Sequence, residues 1–324
     1  MVYDRVNIRK WSLLGSRRVL GLALADLANN YDKFVFLTSD VGRYYSLEKL
    51  IKENSQRVFN VGIAEQNMIG IAAGMSKEGL NCFAATYATF ATARVLDQIR
   101  VSMGLMRLPI KLIGVSAGIS EGDMSATHMG IEDIADIRAI PGIIILSPAD
   151  CTETVKALEA AAKINSPVYI RLSGSANEPM VYKSDYNFEI GKSIKLSEGK
   201  TVAIIATGAS VAQAIKAKEL LLNHNISSSV INMHTIRPLD TDMIDEVINS
   251  HKYIVSVEEH SVRGGLGSAI AEYMAPKINR CPHLILGTDD YINADEYRSL
   301  IVKYALDAES ITNSILNFIA GCEQ

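Results

Sequence analysis

No apolar run in this 324-residue chain is long enough to span a bilayer, so a membrane-crossing helix is not expected. The first residues carry Arg5, Arg9, Lys10, Arg17 and Arg18 and lack the unbroken apolar stretch of a secretory leader. Positive charge is not in excess either. With 32 Lys and Arg against 36 Asp and Glu, the net charge is −4, which leaves no basic domain and no expectation of nucleic acid as a partner. Cysteine is sparse: Cys82, Cys151, Cys281 and Cys322 lie far apart and form no C-x-x-C pair. They read as reduced thiols of a cytoplasmic protein, with no zinc site and no metal held by this chain's own residues. There is no repeat of solenoid period and no low-complexity tract.

What is present is apolar and periodic. Hydrophobic residues make up 48% of the chain, and 324 residues are too many for one ordinary core and suit two domains. Phe34–Thr38, Cys82–Thr86, Pro109–Val115, Gly142–Ser147 and Pro167–Arg171 read as buried strands, with helical stretches between them, among them Thr152 to Ile164. Continuous apolar strands separated by helices imply a mostly parallel sheet covered on both faces. From about Ala176 to Lys200 the rhythm breaks into a polar stretch with Pro179, Gly191 and several lysines. A second unit follows, with strands expected at Thr201–Ala206, Ser229–Asn232, Tyr253–Val257 and His283–Leu286. The expectation is an α/β protein of two doubly wound domains, residues 1–180 and 199–324, joined by a linker at 181–198.

Three stretches carry chemistry. Glu65 opens an otherwise apolar helix, Ala64 to Glu78, with Met68, Ile69, Ala72 and Met75 at core spacing and Gly79 as its stop. It is either a first-turn acid favoured by the helix dipole or a buried carboxylate with work to do. Tyr87 and Phe90 follow a strand, at the end where open parallel sheets bind ligands. They either pack the helix on the sheet or stack on a heteroaromatic ring. The loop from Gly114 to Asp133 is rich in Gly, Ser and Ala and holds Thr127-His128. It is a substrate-facing edge or a surface loop with one histidine. In the second unit, Gly264-Gly-Leu-Gly267 has the wrong spacing for a dinucleotide fingerprint and reads as a tight strand-to-helix turn. Glu258, Glu259 and His260 read as a polar loop edge.

In order, Gly15–Arg18, Thr38–Asp40, Ile63–Asn67, Tyr87–Phe90, Ala126–His128, Glu132-Asp133, Ser147–Asp150, Thr235–Asp240 and Val257–Ser268 resemble the transketolase family of thiamine diphosphate enzymes. The resemblance covers nearly the whole chain and is to the C-terminal half of a transketolase. The family's other half holds the diphosphate through Mg²⁺ with a Gly-Asp-Gly motif, and that motif is missing here. The resemblance therefore implies one subunit of a split enzyme. An N-terminal transketolase subunit would carry the diphosphate and Mg²⁺, and the assembly would be a heterotetramer with two of each chain.

The family's cofactor-activating acid matches Glu65, which would share a proton with the aminopyrimidine ring. Tyr87 and Phe90 match aromatics packed on or beside that ring, and Asp40 an acid near the cofactor, with a strand-end turn residue as its equally open reading. His128 matches a substrate-hydroxyl histidine. Arg17 matches a sugar-phosphate arginine, and Arg171 lies near a second one without being in strict register; for each, surface or inter-strand ion pairing is an equally open reading. Three positions depart: Ala93 replaces a third aromatic, Met124 replaces an Asp with Asp123 one place off, and a phosphate-contacting His is missing at Val115 or Ser116. An ordinary pentose phosphate is therefore not assumed, and a ketose from a specialised pathway fits as well. The rival readings are the β subunit of a 2-oxo acid dehydrogenase, a 1-deoxyxylulose-phosphate synthase, and a non-catalytic assembly subunit.

Overall fold

The computed structural model describes residues 1–173, 178–291 and 293–323. The start of the polar connecting stretch at Ala176 and the terminal Gln324 lie outside them. Its strands, in chain order, are β1 Phe34–Thr38, β2 Val58–Asn60, β3 Asn81–Tyr87, β4 Lys111–Val115, β5 Ile144–Leu146, β6 Val168–Arg171, β7 Ile194–Ser197, β8 Val202–Ala206, β9 Ser228–Asn232, β10 Thr235–Arg237, β11 Tyr253–Ser261 and β12 His283–Thr288.

They form two sheets. The first has the order β10-β5-β6-β4-β3-β1-β2 and the second β12-β11-β8-β9-β7. All pairings are parallel except β10 with β5 and β7 with β9. The interior strands are apolar along their whole length because helices cover both faces: every residue of β1, β4, β8 and β9 is buried. Alternation then sorts side chains to the two faces. Phe34, Phe36 and Phe83 point to one side with Leu20, Leu24 and Leu158. Leu37, Ala84 and Leu112 point to the other, in an apolar cluster that continues through Ile145 and Ile236 to Ile205 and Ile254 of the second unit. The two units thus share one core along a common face.

The helix Glu65–Lys77 buries Met68, Ile69 and Ala72 against the first sheet, within a residue of its expected bounds at each end. The helix Cys151–Lys163 starts where Asp150 caps it by accepting the Glu153 N–H at 2.9 Å. Three strands have no clear sequence signal. β2 is three residues long. β7 lies inside the stretch read as linker and is a half-buried edge strand. β10 leaves the second unit to extend the first sheet.

The polar edge expected at Glu258, Glu259 and His260 needs correction. All three are buried within β11. The Glu258 carboxylate accepts the N–H groups of Leu266 and Gly267 at 2.7 and 2.8 Å, capping the helix Leu266–Met274 at its positive end. Tyr297 donates to Glu259 at 2.5 Å, and the Ala135 N–H donates to His260 Nε2 at 3.2 Å. Glu258 serves the next helix, while Glu259 and His260 meet partners remote in sequence, which a local pattern does not reveal. Gly264, at φ 83°, makes the expected turn. Among the described residues no helix is long and apolar enough to cross a membrane.

Candidate active site

The carboxyl ends of β1, β3 and β4 meet at one edge of the first sheet, where an open parallel sheet presents its loops. Ser39 and Asp40 follow β1. Tyr87 ends β3, and the chain turns at once into the short helix Ala88–Ala91 carrying Phe90. Gly114 of β4 allows this turn to sit close: a Cβ there would meet Tyr169 Oη at 2.3 Å and the Ala88 backbone at 2.9 Å. Glu65 reaches the edge from the first turn of its helix.

Glu65 is 5% exposed. Its Oε1 accepts from Ser39 Oγ at 3.4 Å, and Ser39 Oγ shares a second hydrogen bond of 2.9 Å with the Thr86 hydroxyl. The same Oε1 is 3.0 Å from an Arg94 guanidinium nitrogen. Arg94 lies over the Phe90 ring, its Cζ 3.7 Å from the centroid. Tyr87, Phe90 and His128 form a three-ring group: Tyr87–Phe90 centroids are 5.8 Å apart, Tyr87–His128 5.3 Å and Phe90–His128 5.2 Å, all edge-on. His128 Nδ1 shares a hydrogen bond of 2.9 Å with Thr127 Oγ1. The structure therefore gathers Glu65, Tyr87, Phe90 and His128, which lie up to 63 positions apart in the chain.

Asp40 and Arg17 flank this group. Asp40 is exposed in a left-handed turn at φ 61° and accepts from Asn60 Nδ2 at 2.9 Å. Arg17 pairs with Glu121, which also accepts from Ser116 Oγ at 2.7 Å. Ser116 is one of the two positions at which a family histidine is expected to be replaced, and a hydroxyl and a carboxylate meet there.

Arg171 ends β6, paired with Gly114 of β4, but its side chain does not join the group. It is buried, and its Nε donates to both Asp133 oxygens at 3.0 and 2.9 Å. Its Nη2 donates to the carbonyls of Gly130 and Glu259, and Tyr169 Oη donates to Asp133 at 2.7 Å. These bonds tie β6 to the loop after β4 and to β11 of the second unit. The expected sugar-phosphate contact gives way, on this geometry, to a clamp between the units, because the donors that would hold phosphate are turned inward. Next to it, burial first and then the charges of Glu132 and Asp133 push the Asp136 carboxyl up to about 6.

The arrangement fits one half of a cofactor site. A buried carboxylate beside two aromatic faces suits an aminopyrimidine ring that both stacks and hydrogen-bonds. Among the described residues no group of three or more His, Cys, Asp and Glu is gathered to hold a metal ion.

The family model for the transketolase pyrimidine binding domain matches residues 14–178, and that for the transketolase C-terminal domain matches 191–311. The chain belongs to the transketolase family. It is similar to the putative transketolase C-terminal section of Methanocaldococcus jannaschii, 36% identical over 93% of this chain and 95% of that one. It is 33% identical to one of the subunits of the apulose-4-phosphate transketolase of Phocaeicola vulgatus, over 95% and 98% of the two chains. The 1-deoxy-D-xylulose-5-phosphate synthase of Caldanaerobacter subterraneus is 37% identical over 92% of this chain, which spans only 48% of that longer protein. Among solved structures, a split-gene transketolase in an inactive β4 tetramer superposes with a TM-score of 0.85 at 34% identity, covering 95% of this chain and 98% of that one. The chain thus corresponds in extent to the C-terminal part of a split transketolase and to about half of the synthase.

Sequence reasoning missed Arg94, Ser39 and Thr86. Arg94 sits four residues after Phe90, a spacing that returns a side chain to the same helical face, and this was its only local signal. Ser39 and Thr86 are single hydroxyls at strand ends, and nothing in the chain itself sets them apart.

Proposed function

We propose that this chain is the C-terminal subunit of a split, thiamine diphosphate-dependent transketolase. With an N-terminal subunit that carries the diphosphate and Mg²⁺ site, it transfers a two-carbon ketol unit from a ketose to an aldehyde. The observation that carries the reading is Glu65: a buried carboxylate at the edge where Tyr87, Phe90 and His128 gather.

Thiamine diphosphate, when bound, supplies the electron sink that lets the bond beside a ketose carbonyl break. This chain supplies the rest of the pyrimidine side. Glu65 Oε1 holds and shares a proton with a ring nitrogen, and the carboxylate's burial strengthens that bond. Tyr87 and Phe90 pack against the ring and exclude water. His128, held against both rings, positions a substrate hydroxyl. Asp40 stands at the margin of the cofactor, and Arg17 faces the substrate. In this reading residues 1–180 form the pyrimidine-binding domain, 181–198 the connection and 199–324 the C-terminal domain. The working assembly is a heterotetramer. The β4 form of the split-gene relative, named inactive, supports an arrangement in which this chain without its partner lacks turnover.

The test is calorimetry with thiamine diphosphate and Mg²⁺ on this chain alone and on its complex with the N-terminal subunit. Binding by the complex but not by the lone chain supports the split site. No binding by the complex leaves only a role in assembly. Pyruvate decarboxylation with a lipoyl acceptor would instead favour a 2-oxo acid dehydrogenase β subunit.

A further inference from the structure

Arg94 occupies the space that the proposed site needs. It stands on the tight turn Ala93–Val95, and its side chain folds back over Phe90 with Cζ 3.7 Å from the ring centroid. One terminal nitrogen lies 3.0 Å from Glu65 Oε1. The two partners are unequally held: the Glu65 side chain is 5% exposed, while the Arg94 side chain is 42% exposed. The carboxylate is fixed by its helix, and the guanidinium is the member that can leave.

A guanidinium is flat, rich in nitrogen, stacks on aromatic faces and aims N–H groups at carboxylates. An aminopyrimidine would offer the same flat face to Phe90 and the same kind of nitrogen partner to Glu65. We propose that Arg94 is an internal stand-in for the cofactor's pyrimidine. It satisfies Glu65 and covers Phe90 in the cofactor-free subunit and withdraws to solvent when the cofactor enters. This inference rests on the reading of Glu65 and Phe90 as pyrimidine contacts and adds the residue that competes for them.

The physical case has two parts. A buried carboxylate without a partner is costly, so the free subunit needs a counter-charge at Glu65. An arginine at the surface end of a long, flexible stem supplies one and can be rehydrated cheaply on release. Its backbone need not move: the Arg94 carbonyl already accepts from Gln66 Nε2 at 3.3 Å, so the side chain alone would swing. The consequence is that cofactor affinity is set partly by the contacts Arg94 gives up.

The experiment titrates thiamine diphosphate, with Mg²⁺ in excess, by calorimetry into the two-subunit complex carrying either wild-type Arg94 or R94M. The expected result is that R94M binds the cofactor roughly 3–10-fold more tightly. In the lone chain R94M lowers the melting temperature, and adding R94M to E65Q lowers it no further. Equal or weaker cofactor binding by R94M, with wild-type binding intact, overturns the stand-in while leaving the proposed function in place. Absence of binding by both complexes overturns the two together, and binding by R94M alone supports the stand-in in its strongest form. If R94M does not assemble with its partner, R94K removes the flat stacked fork and is read by the same outcomes.

Discussion

Glu65 and Asp133 are both buried acids paired with an arginine, and they differ in which partner is free to move. Around Asp133 everything is closed: Arg171 is 5% exposed and Asp133 0%, with Tyr169 and two backbone carbonyls completing the hydrogen bonds. Of the Glu65–Arg94 pair only the acid is buried, and its arginine lies at the surface. A closed pair holds two units together. A pair open on one side is a place where something else can be received. Burial of a carboxylate therefore does not identify a site until the accessibility of its partner is known.

The largest expected effect breaks the closed pair. R171M leaves Asp133 buried beside Tyr169 without its counter-charge, and should destabilise the protein by about 3–5 kcal/mol. Urea or thermal unfolding measures this, and adding D133N should restore part of the loss. A wild-type midpoint for R171M would refute the clamp.

The open pair should behave in the opposite way. E65Q is expected to reduce turnover of the assembled complex by roughly 10²–10⁴-fold, while its midpoint stays near wild type because Arg94 can turn to water. A large fall in stability with unchanged turnover would reverse the assignment of the two acids. A smaller effect is expected from F90A, which removes one stacking face. Cofactor affinity by calorimetry should weaken roughly 3–10-fold, with subunit assembly unchanged by gel filtration.

The smallest effect concerns pH near the closed pair. The Asp136 carboxyl stands at about 6 in the fold, against 3.8 as its ordinary value, mainly because of burial. Between those values the folded state keeps a proton that the unfolded state has lost, so stability falls as pH rises through that window. D136N should flatten the fall. Unfolding midpoints taken below and above the window check the sign, and an unchanged slope in D136N would assign the dependence to other groups.

Most of the first sheet was legible in the chain. β1 at Phe34–Thr38 and the helix opened by Glu65 coincide with their apolar patterns to within a residue at each end, because burial on both faces demands such patterns locally. The aromatic pair Tyr87 and Phe90 was legible as a strand-end feature. The polar run Glu258–His260 was not: its letters suggest a loop, whereas Glu258 caps the next helix and Glu259 and His260 meet partners from distant elements. Arg171 stood between two readings for a related reason. An arginine at a strand end suits an anion equally well when it faces outward to substrate and inward to a buried aspartate, and sequence position alone does not choose.

The sequence by itself determined the α/β class, the transketolase family and the acid at the head of the helix, since periodicity and ordered motifs are properties of neighbouring residues. Only the tertiary structure decided which arginine each acid meets, that β10 crosses to the first sheet, and that Glu65 faces a movable partner while Asp133 does not. An ion pair is a matter of a few ångströms between atoms the chain path brings together. That distance depends on the packing of whole sheets against each other, which no local pattern encodes.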